Sequence, residues 1–205
     1  SAALLWHAGP VNAEDVGGLR RAPATDGTAF RFQAPEGTSC QVRMGTDSAS
    51  GAFHLRQEGV SQRAGLYGVR WGMGGIPVES AEVIVPGMSG VSFRGDAPIP
   101  RLGFSWPSGW EAGMVLLQME KGGFLIWARD PDMTFKRLDL HVREGRLHLW
   151  FESHNHAPFD ESTSIQSVEW RIEAYTGDWR AGADRYRDWM QAQFEPVPLE
   201  KRTPA

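Results

Sequence analysis

One face of a long predicted hairpin carries the side chains with the most chemical potential. Arg137, His148, Glu152 and His154 alternate with apolar residues and therefore lie on the same side of the paired strands. Imidazole and carboxylate groups serve as general acids and bases near neutral pH, and such catalysis needs two of them flanking the reacting group. The alternative is a solvated face, or one that packs against another domain, with Arg137 and Glu152 forming a cross-strand ion pair.

A second reactive pattern follows the hairpin. His154 and His156 are two residues apart, so on a strand their imidazoles would share a face, and Asp160 or Glu161 could complete a metal site. Pro158 and the two acids instead favour an exposed polar loop. We therefore predict neither a metal nor a cofactor here, and leave sugar contact as the alternative role of the loop.

Three tryptophans are candidate sugar contacts. Trp106 and Trp110 flank a Pro-Ser-Gly loop, and Trp150 is the aromatic residue on the polar hairpin face. An indole offers a flat apolar ring and one N–H donor, which suits stacking on the CH face of a sugar. Packing in the core or between domains is the alternative for each. Trp179 and Trp189 have helical spacing instead, which predicts core packing.

Hydrolytic catalysis is not supported by any motif in the chain. A Gly-x-Ser-x-Gly elbow is missing from the sequence, and Cys40, the single cysteine, has no histidine partner by motif. Glycoside cleavage needs two carboxylates about 5–10 Å apart. Glu152 and Glu169 fall on predicted strands, but their spacing in the sequence fixes no such distance. We predict no catalytic residues in this chain.

The elements that position these residues are mostly strands. Glu144-Gly145 predicts a two-residue turn in which glycine supplies a positive φ. This turn would pair His141 with His148 and Leu140 with Leu149, which places every apolar residue of the hairpin on one face. The run Phe124–Ala128 is apolar on both parities and predicts a central strand covered on both sides.

Short alternating runs continue along the rest of the chain. With 24 glycines and 13 prolines between them, they predict an all-β architecture. The glycine-rich stretch 65–75 is predicted as a loop or bulge. A phosphate-binding loop would need a helix directly after it, and Ile76-Pro77 is incompatible with that helix. The predicted strands are Phe30–Phe32, Cys40–Met44, Phe53–Arg56, Glu82–Val85, Val91–Phe93, Arg101–Trp106, Met114–Met119 and Ser167–Tyr175.

A single helix is predicted after Tyr175, where the hydrophobic period changes from 2 to about 3.6. Asp178 is a favourable N-cap for a helix over residues 178–194. Its apolar side is formed by Trp179, Ala183, Tyr186, Met190 and Phe194, with Trp189 beside them.

Domain organisation and bulk properties limit the functions available. We predict one β-sandwich domain over residues 1–194 and a proline-rich linker over 195–205 that leads to a downstream catalytic domain. The formal net charge of −4 without a basic stripe argues against a nucleic-acid partner. No apolar run reaches the ~20 residues of a membrane span. We expect a secreted or periplasmic protein.

The closing segment and three internal motifs resemble a known group of enzymes. Gly177-Asp178-Trp179, Ala183 and Tyr186-Arg187-Asp188-Trp189 are similar to the segment that closes the N-terminal β-sandwich of certain bacterial glycoside hydrolases. That group is related to endo-α-N-acetylgalactosaminidases and α-galactosidase-like enzymes. The likeness covers residues 101–194 and includes Trp106-Pro107-Ser108, Gly122-Gly123-Phe124 and Asp130-Pro131.

The resemblance implies a fold and a role. It implies a large antiparallel β-sandwich of the galactose-mutarotase-like kind, a supersandwich with one C-terminal helix packed on it. It also implies that the catalytic carboxylates lie on a (β/α)8 barrel downstream. The expected function is a non-catalytic accessory domain that supports this barrel and contacts substrate. The alternatives are a stand-alone carbohydrate-binding module and a mutarotase-like or epimerase-like enzyme, since mutarotases of this fold use a histidine and a carboxylate on a concave sheet face.

Overall fold

Strands account for just over half of the described residues. The computed structural model describes residues 1–24, 27–94, 101–197 and 201, and these form sixteen strands, one α-helix and two 3-10 turns. The first eight strands are β1 (Ala2–Trp6), β2 (Gly9–Asn12), β3 (Arg20–Ala22), β4 (Thr28–Ala34), β5 (Thr38–Thr46), β6 (Phe53–Val60), β7 (Gly68–Pro77) and β8 (Glu82–Val85). The remaining elements are β9 (Val91–Phe93), β10 (Arg101–Ser105), β11 (Met114–Met119), β12 (Gly122–Arg129), β13 (Lys136–Arg143), β14 (Arg146–His154), β15 (Ser164–Gln166), β16 (Glu169–Thr176), helix α1 (Trp179–Phe194) and the 3-10 turns Ala13–Val16 and Val78–Ser80.

Two sheets form the sandwich. Among the described residues, the smaller sheet has six strands in the order β10-β13-β14-β7-β1-β2. The larger sheet has ten, in the order β3-β4-β5-β6-β16-β12-β11-β8-β9, with β15 pairing with β6 beside this path. Every pairing between described strands is antiparallel. The predicted all-β antiparallel sandwich is therefore confirmed.

The hairpin of β13 and β14 has the predicted register. Leu140 faces Leu149 and His141 faces His148. Glu144 and Gly145 have φ values of 53° and 69°, so both central residues of the turn are left-handed. This is the two-residue turn whose twist matches that of the flanking strands. The apolar side of the hairpin packs in the core between the sheets, and the polar side faces outward.

Of the loop or bulge predicted for residues 65–75, the loop is wrong for most of that stretch. Strand β7 occupies residues 68–77 and pairs with β14 on one side and β1 on the other. Glycines are needed here because the partner side chains lie over them: a Cβ at Gly72 would overlap the Trp150 ring, and one at Gly74 would overlap His148. The predicted bulge is present at Gly75: Leu147 pairs with Ile76 and His148 with Gly74, so Gly75 has no pairing partner on β14.

Tryptophan rings fill the centre of the core between the sheets. Trp170 on β16 lies with its ring centroid 6.0 Å from that of Trp71 and 4.9 Å from that of Phe151. Trp110 stacks on the same Trp170 ring at 6.3 Å. Both Trp110 and Trp170 are 0% exposed, so burial of these large rings supplies a substantial part of the apolar area that stabilises the fold.

Helix α1 covers part of the outer face of the larger sheet, against β11, β12 and β16. Strand β12 is thus covered on both sides from Leu125 to Ala128, as its sequence predicts, whereas Phe124 is 39% exposed. The Asp178 carboxylate accepts a hydrogen bond from the Arg180 N–H at 2.9 Å, which confirms the predicted N-cap. The buried side of the helix is formed by Gly182 and Tyr186, whereas Trp179 is 37% exposed. The prediction that Trp179 packs in the core is therefore wrong, because burial of the helix against the sheet begins at Gly182.

The helix ends at Phe194, and Glu195 follows in a left-handed conformation with its N–H donating to the Gln191 carbonyl. Most of the predicted linker, residues 198–200 and 202–205, lies outside the described residues. In the part of the chain that the structure describes, no helix combines the length and apolar character needed to cross a bilayer.

Candidate functional site

The outer side of the smaller sheet brings together five of the seven predicted site residues. Arg137 extends from β13, while His148, Trp150, Glu152 and His154 follow one another along the same side of β14. Strand β7 adds one arginine and β13 one further carboxylate. We refer to this surface as the polar face, which consists of Arg70, Arg137, Asp139, His148, Trp150, Glu152 and His154.

Asp139 is held by arginines on the polar face. Although its side chain points away from the core, the residue is only 4% exposed. Arg137 donates to both carboxylate oxygens, from Nε at 2.9 Å and from Nη2 at 3.0 Å. Arg101 lies 3.7 Å from the same carboxylate. The hydrogen bond to Asp139 is the main cause of the raised pKa of Arg137. Arg137 therefore pairs with Asp139 along its own strand, and the cross-strand pair that the sequence suggests with Glu152 does not form.

Glu152 is the second carboxylate on the polar face, and it is 7% exposed. Its Oε2 lies 2.9 Å from His154 Nε2, and its Oε1 lies 3.9 Å from Arg70 Nη1. Arg70 also donates to the Asn12 side-chain oxygen at 2.8 Å. The buried Nε of Arg70 has no hydrogen-bond partner among the described residues. Both carboxylates of the polar face are thus engaged, while one guanidinium donor is left over.

Flat groups form a row across the middle of the polar face. The His141 and His148 rings stack at 5.0 Å with 9° between their planes, and Trp150 lies 6.4 Å from His141. The Arg70 guanidinium carbon lies 5.0 Å from the centre of the Trp150 ring. Burial, with the nearby His148 adding to it, lowers the pKa of His141 and so favours its neutral form. Neighbours on β13 and β7, the strands on either side of β14, hold the half-buried Trp150 ring in place.

An aromatic cluster borders the polar face at His154. The His154 ring contacts Phe135 at 5.0 Å and the edge of Tyr67 at 5.1 Å. Tyr67 in turn stacks on His7 at 5.2 Å and lies 5.7 Å from Phe159. Burial, with the negative charge of Glu152 adding to it, raises the pKa of Tyr67.

Sequence reasoning missed this aromatic cluster apart from His154. Its other members come from four separate connections: His7 between β1 and β2, Tyr67 before β7, Phe135 before β13 and Phe159 after β14. No spacing within one element links them. These connections meet at one end of the smaller sheet only because β14 pairs with β13 and β7, and β7 pairs with β1.

The other two predicted site residues do not lie on the polar face. Trp110 is 0% exposed, and its indole N–H donates to the Met114 carbonyl at 2.9 Å. This burial removes Trp110 from the candidate sugar contacts, because no face of the ring is free for stacking. Trp106 is half-buried and packs against the core between the sheets, with the Lys136 ammonium 4.0 Å from its ring centre.

The loop after β14 is tied to the sandwich through Asn155. Its side-chain amide donates to the carbonyls of Leu66 and Ser164, both at 3.0 Å. His156 is exposed on this loop. Within residues 1–24, 27–94, 101–197 and 201, no group of three or more His, Cys, Asp and Glu side chains is arranged to hold a metal ion.

This arrangement fits binding better than acid–base chemistry. Two groups that shuttle protons on a sugar must flank the ring, yet Glu152 and His154 are in direct contact with each other. The row of flat groups, the arginines and the aromatic cluster can instead offer stacking surfaces and donors to a ligand rich in hydroxyl groups.

Comparisons in sequence identify no relative: no protein-family model matches the chain, and no curated protein matches it. Solved structures do match. The alpha-N-acetylgalactosaminidase NagBb from Bifidobacterium bifidum, in complex with GalNAc, aligns over 95% of this chain with a TM-score of 0.68 and 13% identity. The GH36 alpha-galactosidase AgaA from Geobacillus stearothermophilus aligns over 89% with a TM-score of 0.53 and 10% identity.

A smaller protein also shares the fold. A protein of Escherichia coli K12 assigned as an aldose 1-epimerase aligns over 85% of this chain and 79% of its own length, with a TM-score of 0.53 and 13% identity. By contrast, the chain spans about one third of the two glycosidases, 34% and 31% of their lengths. The fold is therefore the galactose-mutarotase-like β-sandwich, as the sequence motifs imply.

Proposed function

We propose that this chain is a non-catalytic accessory domain of a glycoside hydrolase, and that its polar face contacts carbohydrate. The observation that carries this proposal is the state of the two carboxylates on that face. Asp139 is bound by arginine and Glu152 by His154, so neither is free to protonate or deprotonate a substrate. The shared fold with one third of an alpha-N-acetylgalactosaminidase supports placing the catalytic groups on another domain of the same protein.

A catalytic domain is the first expected partner of this chain. The polar face would then form a wall beside the substrate or a surface for domain contact. Its half-buried Trp150, held over Gly72 and beside Arg70, supplies a preformed stacking surface. Because the ring cannot move freely, it loses little conformational entropy when a sugar binds.

An activity assay on the isolated chain tests the non-catalytic part of the proposal. Aryl α-N-acetylgalactosaminide and aryl α-galactoside are suitable substrates, and we expect no hydrolysis of either. Turnover that is abolished by Glu152→Gln or Asp139→Asn would contradict the proposal, because it would place catalysis on the polar face.

Calorimetric titration with GalNAc and with galactose tests sugar contact. Trp150→Ala is expected to weaken binding at least about tenfold, since stacking on a fixed aromatic ring is the principal contact proposed. Trp179→Ala is the matched control, because this helix tryptophan is 37% exposed and lies away from the polar face. Equal losses of sugar affinity in the two variants would contradict the proposal that the polar face is the binding surface.

A mutarotase-like enzyme is the second candidate function. The Escherichia coli protein aligns over 79% of its own length, and Glu152 and His154 place a carboxylate and a histidine on one sheet. Polarimetry on freshly dissolved α-galactose and α-glucose distinguishes the two functions. An increase over the uncatalysed rate that is lost in the His154→Gln variant would favour the enzyme. If the chain is an accessory domain, the unaltered protein and the variant should both show the uncatalysed rate.

A further inference from the structure

A groove lined by three arginines lies at the edge of the larger sheet, where β3 is the last strand. Arg20 and Arg21 come from β3, and Arg31 and Gln33 come from β4. The cavity has a volume of about 420 Å³ and contains no acidic side chain among the described residues that line it. We refer to it as the arginine groove.

The arginines of this groove are arranged at a cost to the fold. Arg20 and Arg31 are direct partners in the pairing of β3 with β4, so their side chains leave the same face of the sheet side by side. Like charges directly opposite each other on neighbouring strands destabilise a sheet. Arg43 and Arg56, and also Arg143 and Arg146, are direct partners too, but at least one arginine of each of those pairs is bound to a carboxylate, whereas neither Arg20 nor Arg31 is.

None of the three arginines is neutralised within the described part of the chain. Twelve of its seventeen arginines form ion pairs with carboxylates, and Arg20, Arg21 and Arg31 are three of the five that do not. Arg31 donates to the Gln41 side-chain oxygen at 2.8 Å, a neutral partner. The chain as a whole carries a net charge of −4, so this concentration of positive charge is local.

We propose that the arginine groove binds an oxyanion group, a carboxylate or a sulfate, of an acidic saccharide. A guanidinium group presents a planar fork of N–H donors that matches two oxygens of such a group. Neighbouring guanidinium groups on β3 and β4 can take one anion between them, which also relieves their mutual repulsion. The oxyanion chemistry rests on the arginines alone. The choice of a saccharide as its carrier rests on the proposed function.

Isothermal titration calorimetry with a sulfated oligosaccharide derived from heparin tests the proposal. The double variant Arg20→Gln/Arg31→Gln is compared with Arg63→Gln/Arg146→Gln, which removes two exposed arginines that lie outside the groove and form no ion pair among the described residues. We expect the first variant to lose at least about tenfold in affinity and the second to lose less than about twofold. Affinity of the unaltered protein is expected to fall as salt is raised.

Loss of folding cannot mimic this result, because relief of the repulsion between Arg20 and Arg31 is expected to leave the melting temperature unchanged or raised. Equal losses of affinity in the two double variants, or no binding of the sulfated probe by the unaltered protein, would overturn the proposal that the arginine groove binds oxyanions. A short DNA duplex that binds as tightly would overturn the saccharide assignment. Binding of neutral GalNAc, sensitive to Trp150→Ala but not to the groove variant, reports separately on the proposed function.

Discussion

Lys136 shows how one buried charge can account for two separate sequence motifs. Lys136 is 2% exposed and its ammonium lies 2.8 Å from the Asp130 carboxylate, which is itself 4% exposed. The ammonium also donates to the Thr134 carbonyl and lies 4.0 Å from the centre of the Trp106 ring. Burial lowers the pKa of Lys136, and the hydrogen bond to Asp130 acts in the opposite direction. The motifs that begin with Trp106 and Asp130 thus meet at Lys136. Asp130 is its ion-pair partner, and the Trp106 ring lies against its ammonium group.

Asp130→Asn is expected to destabilise the fold by about 3–5 kcal/mol, because it leaves the Lys136 ammonium buried without its counter-charge. Two further hydrogen bonds are affected, since the same carboxylate oxygen accepts from the Thr134 N–H and hydroxyl. Urea denaturation followed by circular dichroism measures the change. Adding Lys136→Met to the variant should recover part of the loss, and a single-variant loss below about 1 kcal/mol would contradict this account.

Residue pairing on the polar face was only partly predictable from the sequence. Strand alternation correctly places Arg137, His148, Trp150, Glu152 and His154 on one side, because this depends only on the period of a strand. It cannot decide that Arg137 pairs with Asp139 instead of Glu152, since both carboxylates are within reach of a long side chain. The burial of Trp110 and the aromatic cluster depend on contacts between distant segments.

Helix α1 approaches the larger sheet closely because of one glycine. Gly182 is buried, and a Cβ at this position would lie 2.5 Å from a methyl carbon of Leu116 and 2.8 Å from the Tyr175 ring. Four residues later, the Tyr186 hydroxyl accepts a hydrogen bond from the Gly113 N–H at 3.2 Å. The small residue brings the helix backbone near enough for this bond to form.

Gly182→Ala tests the closeness of this packing, because two effects predict opposite signs. Helix propensity alone would stabilise the variant by about 1 kcal/mol. Crowding against Leu116 and Tyr175 is expected to outweigh this and to destabilise it by about 1–3 kcal/mol. Thermal denaturation gives the sign directly. A rise in melting temperature would mean that the helix can shift without loss.

Elements with strong local patterns were predictable, and elements defined by their neighbours were not. The hairpin turn, strand β12 and helix α1 follow from periodicity and turn chemistry within each segment. Strand β7 is different, because Gly72 and Gly74 are required by the side chains of Trp150 and His148, which lie over them from the adjacent strand. Gly-rich segments have low intrinsic strand propensity, so the sequence of β7 alone predicts a loop or a bulge and not a ten-residue strand.

At the scale of the whole molecule, one carboxylate joins three strands of the larger sheet. Glu169 on β16 accepts hydrogen bonds from Arg171 at 2.8 Å and from Arg56 on β6 at 3.0 Å. Arg129 on β12 lies 3.8 Å away, and Arg171 also donates to Asp47 in the loop after β5. Burial raises the pKa of Glu169, but the hydrogen bonds from Arg171 and Arg56 outweigh it, so the pKa lies below 4.5.

This network predicts a loss of stability in acid. Because the pKa of Glu169 is lower in the folded than in the unfolded chain, its contribution is present above pH 4.5 and is lost as the pH falls through the folded value. Glu169→Gln is expected to cost about 1 kcal/mol at pH 7, since neutral hydrogen bonds replace charge-assisted ones. Urea midpoints measured from pH 7 downward should converge for the two proteins, and a constant difference at every pH would contradict this.

The central tryptophans give the molecule an optical property of its own. Trp71, Trp170 and Trp110 form a chain of indole rings with centroid spacings of 6.0 and 6.3 Å. Transition dipoles at this separation couple strongly, so excitation is shared among the rings and circular dichroism acquires a paired positive and negative band. That band arises only while both sheets hold their rings in place, and it therefore reports on the docking of the sheets independently of strand content.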